Sequence, residues 1–233
     1  GARSDGDFGR DVAGIGDVNG DGFDDVAVAA ALTNGPVPNA GATYVVFGKA
    51  DGADVTTASE GAWGYRIDAP PLPYAYNSGN SVAGAGDVNG DGTPDVLMGV
   101  AATNAPGRAG AGAAWVVYGK TTSSTISLAS LTLSQGYRVI GGGTEAHLGQ
   151  TLTSLGDVNG DGVPDMAVSA SDADSSQSQS GAAYVVYGQT NELEIDVTSL
   201  GARGRAIAPG ATAENAETVA APGDVTGDGV PDL

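Results

Sequence analysis

Residues 16–30, which read GDVNGDGFDDVAVAA, place oxygen-bearing side chains at regular intervals just before an apolar run. The Asn-Gly and Asp-Gly pairs between them permit a tightly curled backbone, in which alternate side chains and one backbone carbonyl converge on a single point. Carboxylates that lie so close repel one another, so the pattern predicts a cation among them. Counted from Asp17 as position 1, the donors are the side chains at positions 1, 3, 5 and 9 and the carbonyl at position 7: Asp17, Asn19, Asp21, Asp25 and Phe23.

The number and type of these donors favour calcium. The loop supplies five oxygens, or six where one carboxylate binds through both atoms, and water would complete the roughly six to eight oxygens that Ca²⁺ takes. Mg²⁺ is less suited, because it demands octahedral geometry and keeps its waters. Zinc normally takes His or Cys ligands, which these loops lack.

The same loop recurs along the chain with nearly constant spacing. Its leading aspartates are 70, 70 and 67 residues apart, and such fixed-period self-similarity is the signature of a repeat architecture. We therefore divide the chain into repeats at approximately 1–70, 71–140, 141–207 and a truncated 208–233. The leading aspartates are Asp17, Asp87, Asp157 and Asp224.

Two other interpretations of such a loop are a plain hairpin turn and an EF-hand. Asn-Gly and Asp-Gly are turn-forming pairs in their own right, but four copies that retain acids at positions 1, 5 and 9 argue against a plain turn. An EF-hand needs Glu at position 12 between two helices. Position 12 is instead Val28, Met98 or Val168, and the flanking segments are typical of strands.

Short apolar segments bounded by Gly, Asn, Asp and Pro predict the strands that position each loop. Segments such as SVAGAGD and DVLMGVA flank the loop, and segments such as TYVVFG and GYRVI complete the repeat. β-Branched and aromatic residues favour strands, and no segment has helical periodicity over about ten residues. Four antiparallel strands in each repeat indicate a β-propeller blade, with a β-sandwich or a solenoid as alternatives.

The predicted fold is all-β, with three four-stranded blades and the start of a fourth in an incomplete ring. We interpret residues 69–76, 121–134 and 171–180 as surface connections, because they are irregular and differ between repeats. The stretch SSQSQS at the end of the last segment has low complexity, which predicts mobility.

Composition and charge exclude several classes of partner. The 233 residues carry 28 acidic and 9 basic side chains, and a formal net charge of −19 argues against nucleic acid and anionic membrane surfaces. The absence of cysteine excludes disulfides, and no stretch approaches the ~20 apolar residues of a transmembrane helix. Because the chain begins with Gly1 and stops inside a repeat, we expect it to be a piece of a longer protein.

Three segments that recur in order and in phase resemble the FG-GAP repeats of integrin α-subunits: Phe8-Gly9, the DxNxDGxxD loop and the GA…YVVFG segment. The resemblance covers essentially the whole chain. It implies a seven-bladed β-propeller with Ca²⁺ in the hairpin loop between the first two strands of a blade. The ligands it implies are Asp17, Asn19, Asp21, Phe23 and Asp25; Asp87, Asn89, Asp91, Thr93 and Asp95; Asp157, Asn159, Asp161, Val163 and Asp165; and Asp224, Thr226, Asp228, Val230 and Asp232, with the seventh position of each loop acting through its carbonyl.

The chain departs from the family pattern in two respects. The Phe-Gly pair is intact only once, since Ser78-Gly79, Leu148-Gly149 and Asn215-Ala216 stand at the equivalent positions. The long Ser/Thr-rich segments before GYRI and its equivalents are more similar to those of bacterial secreted members than to those of animal integrins.

The resemblance implies a calcium-binding extracellular module for adhesion or ligand binding, secreted or on a cell surface, with an unknown protein or glycan as partner. The alternatives are the propeller part of a secreted hydrolase or lyase and a lectin-like module. His147, the only histidine, is interpreted as a packing residue, because no second histidine or G-x-S-x-G element accompanies it. Trp63, in a variable segment, is the better exposed candidate for a lectin-like site, whereas Trp115 is predicted to lie in the core.

A seven-bladed ring turns by about 51° per blade, so the two ends of three blades and a hairpin cannot meet. The open blade faces would then pack against remaining blades of the parent chain or against a second copy. In the fourth loop Thr226 replaces the asparagine of position 3, and the chain ends one residue after Asp232. We therefore expect three well-formed calcium sites and a fourth that is weaker, and vacant or disordered in isolation.

Overall fold

The computed structural model describes residues 7–31, 33, 40–57, 63–71, 81–174, 180–207 and 218–232. Within those ranges the only helical elements are three short 3₁₀ turns at Leu128–Ser130, Val197–Ser199 and Gly201–Arg203. None of them has the length and apolarity that a membrane-crossing helix requires. The strands are β1 Phe8–Gly16, β2 Asp25–Ala30, β3 Ala42–Val46, β4 Gly64–Asp68, β5 Ser81–Gly86, β6 Asp95–Val100, β7 Ala113–Val117, β8 Ile126–Ser127, β9 Gly136–Ile140, β10 Leu148–Gly156, β11 Asp165–Asp174, β12 Ser180–Val186, β13 Glu194–Asp196 and β14 Gly204–Ile207.

These strands form three sheets with the order β1-β2-β3-β4-β8, β5-β6-β7-β9-β13 and β10-β11-β12-β14. The first four strands of each sheet are antiparallel neighbours in chain order, as a propeller blade requires. The second sheet packs on the first through β5, and the third packs on the second through β10. No strands of the first and third sheets make a comparable contact in the described ranges. The predicted all-β fold of blades in an open ring is confirmed.

A fifth strand in the first two sheets comes from the following repeat, and the sequence interpretation missed it. β8 runs parallel to β4, with Ile126 opposite Ile67, and β13 runs parallel to β9, with Ile195 opposite Val139. All four side chains are at least 97% buried. The interpretation of residues 121–134 as an irregular surface connection is therefore wrong, because this segment contains β8 and the 3₁₀ turn that follows it.

The other two predicted connections are described only in part. Residues 171–174 extend β11 rather than forming a loop, whereas residues 175–179, which hold most of the low-complexity stretch, lie outside the described residues. Residues 69–71 have no regular structure, and residues 72–80 also lie outside the described part of the chain.

The hydrophobic core lies between successive sheets, and the middle sheet is therefore apolar on both faces. In β6, Val96 and Met98 belong to the cluster that includes Tyr65 of the first sheet, whereas Leu97 belongs to the cluster that includes Leu152 of the third. Successive side chains of a strand point to opposite faces, so a strand between two neighbours buries every residue. This explains why β6 reads as one continuous apolar run, DVLMGV, in the sequence.

A charged pair fastens the fifth strand of the middle sheet. Arg108, in the connection between β6 and β7, donates from both terminal nitrogens to the carboxylate of Asp196 in β13. One of those nitrogens also donates to the carbonyl of Gly142 at 3.2 Å. Burial alone would raise the pKa of Asp196, but hydrogen bonds from Arg108 and Thr198 outweigh it and lower the pKa to about 2.

We expect Asp196→Asn to lower the free energy of unfolding at pH 7 by about 1 kcal/mol, because a charge-assisted pair is lost from a partly exposed site. A depressed carboxyl pKa contributes stability above the unfolded value of 3.8, and that stability is lost as the pH falls through about 2. Chemical unfolding between pH 2 and pH 7 should therefore show a smaller acid loss in the variant. The control is Asp51→Asn, which removes an exposed pair with Lys49 and should change little. Equal acid profiles for wild type and Asp196→Asn would contradict this role.

Candidate metal centre

Each acidic loop connects the first two strands of its sheet, and its first aspartate organises the turn. Asp17 accepts hydrogen bonds from the amides of Gly20 and Asp21 on one carboxylate oxygen, at 2.7 and 3.0 Å, and from Gly22 on the other, at 2.8 Å. The two glycines have φ of +76° and +90°, a conformation that glycine adopts without steric cost. These amide bonds, first of all that from Gly22, lower the pKa of Asp17.

The third and fifth positions are joined to this turn by side-chain hydrogen bonds. The amide oxygen of Asn19 accepts from the backbone of Asp21 at 2.8 Å, and its amide nitrogen donates to the Asp21 carboxylate at 2.9 Å. Asp21 in turn accepts from the backbone of Phe23 at 2.9 Å. The structure therefore brings the predicted ligands at positions 1, 3 and 5 together on the exposed side of the loop.

The ninth position is placed differently, beneath the loop and inside the protein. Asp25 is 0% exposed, and its two carboxylate oxygens accept from the amides of Val18 at 2.9 Å and Gly48 at 2.7 Å. Gly48 follows the third strand of the sheet, 23 residues further along the chain. This carboxylate therefore ties the loop to the end of β3, a structural role that the sequence interpretation did not assign.

The second and third loops repeat this arrangement bond for bond. Their first aspartates accept the same three amide bonds at 2.7–3.1 Å, and their asparagines and fifth-position aspartates make the same contacts at 2.8–2.9 Å. Their ninth-position aspartates are at most 2% exposed and bind the equivalent amides. The residues concerned are Asp87, Asn89, Asp91, Thr93 and Asp95, and Asp157, Asn159, Asp161, Val163 and Asp165.

The fourth loop forms the same turn but lacks the deep anchor. Asp224 accepts amide bonds from Gly227, Asp228 and Gly229 at 2.7–3.1 Å. Asp232 is only half-buried, and one of its oxygens accepts from the amides of residues 225 and 226 at 2.7 and 3.0 Å. No bond to a glycine after a third strand completes it within the described residues. The fourth loop thus shares the turn of the other three but not the bond that holds their ninth position to the third strand, and its expected weakness stays a prediction.

Electrostatics also distinguishes the ninth position from the first. Burial raises the pKa of all three anchoring aspartates despite their amide bonds, and it raises the pKa of Asp95 to about 7. Repulsion from Asp21 and Asp17 adds to the effect at Asp25, and Asp91 has the same effect on Asp95. Each of these three loops therefore concentrates negative charge around a carboxylate that forms no ion pair with any residue in the described ranges.

The donor chemistry of the loops fits a hard cation such as calcium. All side-chain donors are carboxylate, amide or hydroxyl oxygens, and a carboxylate has about four lone-pair sites, so those bonded to amides keep some free. The loops nevertheless lack a finished cage: in the described ranges no three Asp, Glu, His or Cys side chains have the arrangement that would hold a metal ion. Calcium ligation by the predicted residues, including the four backbone carbonyls, therefore stays a prediction.

The glycine after each third strand is a further part of the site that sequence reasoning missed. A Cβ at Gly119 would lie 2.3 Å from the carbonyl oxygen of Pro94 and 2.7 Å from the Thr93 side chain, so only glycine lets the loop reach the strand. Gly48 and Gly188 are equally crowded. The signal was present, because glycine ends each of the segments YVVFG, WVVYG and YVVYG.

Gly119→Ala should lower the free energy of unfolding by about 1–3 kcal/mol, because overpacking against backbone cannot be relieved by a rotamer change. Gly14→Ala is the matched control, since a Cβ there meets nothing within 4 Å and its φ is not positive. Thermal and chemical unfolding of the two variants would compare them directly. A Gly119→Ala protein as stable as the control would show that the contact between loop and strand is dispensable.

Two other candidate residues lie in different surroundings from those expected. Trp63 is only 8% exposed and packs against Tyr44, with ring centroids 5.5 Å apart, so the expectation of an exposed stacking platform is wrong. Trp115, at 1% exposed, is in the core as predicted. His147 is not a packing residue, because its side chain is one-third exposed and both ring nitrogens face carboxylates, of Asp172 and Glu145.

Antiparallel blades that each carry an acidic loop in the first hairpin define a β-propeller repeat protein. The FG-GAP repeat profile matches residues 8–46, 78–117 and 149–186, half of the chain, and the chain therefore belongs to the FG-GAP repeat family. It is 36% identical over 94 residues to integrin alpha-V of Gallus gallus and 32% identical over 96 residues to integrin alpha-5 of Xenopus laevis. Each match covers 40% of this chain and 8% of the relative, so the chain spans a small part of these proteins.

Proposed function

We propose that this chain is a calcium-binding β-propeller module of an extracellular protein, and that its role is adhesion or ligand recognition. The observation that carries the proposal is the recurrence of one oxygen-rich hairpin loop, with the same hydrogen bonds around its first aspartate in all four copies. Membership of the FG-GAP repeat family and the likeness to two integrin alpha chains support the adhesion-type role and a secreted or cell-surface location.

Calcium would supply the positive charge that the crowded carboxylates lack. In the first loop it would be held by Asp17, Asn19, Asp21 and Asp25 together with the Phe23 carbonyl, and by the equivalent residues in the other loops. An ion that binds only the folded state stabilises it by mass action. The affinity of extracellular modules can be as weak as roughly 10⁻⁴–10⁻³ M, so millimolar calcium is the appropriate range to test.

The fourth loop should bind calcium most weakly. Thr226 offers a hydroxyl in place of the amide oxygen at position 3, and Asp232 lacks the bond to a third strand that holds Asp25 beneath its loop. Ordering a loose terminus costs about 1–2 kcal/mol per residue in backbone entropy. Extension of the chain beyond Leu233 by about ten residues should strengthen this site if that segment supplies the missing strand.

We expect millimolar calcium to raise the melting temperature and EDTA to lower it. Asp21→Asn should weaken one of the tight sites, because a carboxylate at position 5 is replaced by a neutral amide. The matched control is Asp24→Asn in the same loop, which removes the same charge from an exposed residue at position 8, outside the predicted ligand set. Isothermal titration calorimetry on each protein would count the sites and measure their affinities.

The expected pattern is three sites of similar affinity and a weaker fourth in the wild type and in Asp24→Asn, with one tight site lost in Asp21→Asn. Equal losses in both variants would indicate nonspecific attraction to a chain of net charge −19 rather than ligation. A melting curve that responds to neither EDTA nor calcium, together with no binding heat, would refute the proposal.

The partner of this module is proposed to be a protein or a glycan. The open faces of the first and third sheets are separate surfaces, on which further blades or a second copy would pack. They expose Phe8 and Ile207, which are 49% and 47% accessible. Binding of the calcium-loaded chain to arrays of extracellular proteins and glycans, compared with binding in EDTA, would identify the partner class.

We also propose that this chain is not itself a catalyst. His147 is its only histidine, and each ring nitrogen lies within 3.3 Å of a carboxylate oxygen, which leaves neither nitrogen free for a substrate. The purified protein should therefore not turn over ester, phosphodiester or glycoside substrates above background. Turnover that persists through purification and disappears in His147→Asn would overturn this expectation.

A further inference from the structure

The only histidine of the chain lies where three segments meet, at the end of β10 remote from its acidic loop. The His147 amide donates to the carbonyl of Gly110, in the connection between β6 and β7, at 3.1 Å. The adjacent Ala146 carbonyl accepts from the amide of Asp172, in β11, at 3.3 Å. The connection from β9 to β10 is thus pinned to both the second and the third sheet at this point.

Both nitrogens of the His147 ring lie close to carboxylate oxygens. Nδ1 is 3.0 Å from Oδ2 of Asp172, and Nε2 is 3.3 Å from Oε2 of Glu145. Ionised carboxylates only accept hydrogen bonds, and a neutral imidazole has only one N–H, whereas the imidazolium has two. The Nδ1 contact with Asp172 is a hydrogen bond, whereas the Nε2 contact with Glu145 is an ion pair that exists only when the ring is protonated. Removal of one proton therefore eliminates one attractive contact.

One further charged side chain lies at this junction among the described residues, and it does not compete for the ring. The connection between β6 and β7 contributes Arg108, whose guanidinium is engaged by Asp196 and by the carbonyl of Gly142. Ser171, beside Asp172, donates its hydroxyl to the same Asp172 oxygen at 3.1 Å. Histidine is the side chain that ordinarily changes charge between pH 5 and pH 8, so the ring is the titrating element of this cluster.

The backbone around the ring is held in a conformation that its residues do not favour. Glu145 has φ of +58° and His147 has φ of +55°, a left-handed conformation that is sterically unfavourable for residues other than glycine and asparagine. Asp7, at the equivalent place in the first repeat, has φ of +48°, and Asn77 stands there in the second. The fold therefore imposes this conformation, and contacts around the third copy must offset its cost.

We propose that His147 is a pH-dependent latch. In its charged form the ring binds Asp172 through Nδ1, which holds the connection at residues 141–147 to the end of β11, and it binds Glu145 through Nε2. Loss of the proton frees one carboxylate and loosens this corner of the second and third sheets. Since the charged ring makes one more contact, the latch stabilises the junction at low pH and releases it at high pH.

Hydrogen exchange at two reporter amides tests the latch in the intact chain. The Glu145 amide is bonded to the carbonyl of Ala109, and the Asp172 amide is bonded to the carbonyl of Ala146. After correction for intrinsic exchange, their protection in the wild type should fall by about two- to fivefold between pH 5.5 and pH 8, the range expected for partly exposed ion pairs. Measurements in saturating calcium and again in EDTA separate the effect from titration of the acidic loops.

His147→Asn is the matched variant, because asparagine tolerates the left-handed conformation and does not titrate. Its protection should be nearly independent of pH at both amides. Glu145→Gln and Asp172→Asn should each remove part of the pH dependence, and they keep the test decisive if far-ultraviolet circular dichroism shows that His147→Asn is unfolded. A wild-type profile that matches that of His147→Asn, or that survives both carboxylate variants unchanged, would overturn the proposal.

Discussion

The buried carboxylate at the end of each acidic loop is the interaction on which the rest of the blade depends. Asp25, Asp95 and Asp165 each hold the second residue of the loop with one oxygen and the glycine after the third strand with the other. A buried carboxylate is costly unless it is well bonded, so removal of either amide would leave an expensive group behind. The hydrogen bonds of this carboxylate therefore fix the loop, the first hairpin and the third strand relative to one another without a contribution from a bound ion.

The acidic residues of each loop have two different roles, to shape the turn and to anchor it to the third strand. The sequence pattern alone does not distinguish them. The exposed aspartate at position 1 curls the backbone with three amide bonds, and the residues at positions 3 and 5 extend the same network. Burial raises the pKa of the aspartate at position 9, and repulsion from the other acidic residues of the loop adds to the rise. A cation at the loop would join the two groups, and metal binding and fold stability would then share the same side chains.

Most of the blade could be read from the sequence because its determinants are local. Short apolar segments bounded by Gly, Asn, Asp and Pro predicted the first four strands of each sheet and placed the loop in the first hairpin. β8 was missed because it has two residues and exists only through pairing with β4 of the preceding repeat. Trp63 was misplaced for a related reason: its burial depends on Tyr44, nineteen residues away, and not on its own segment. Contacts of this kind join segments that are distant along the chain, so neither segment alone predicts them.

Because the fifth strand of a sheet is supplied by the following repeat, the number of repeats could change without exposing a sheet edge. The second repeat carries both an acceptor edge, β9, and a donor strand, β8, that covers the edge of the first, and the third repeat carries the donor strand β13. Recombination between equivalent points of two repeats deletes or duplicates a whole repeat. In the resulting chain, each sheet that is followed by another repeat still receives a fifth strand from that repeat. A change in blade number by unequal crossing-over therefore exposes no new sheet edge inside the array, and edges are where sheets aggregate.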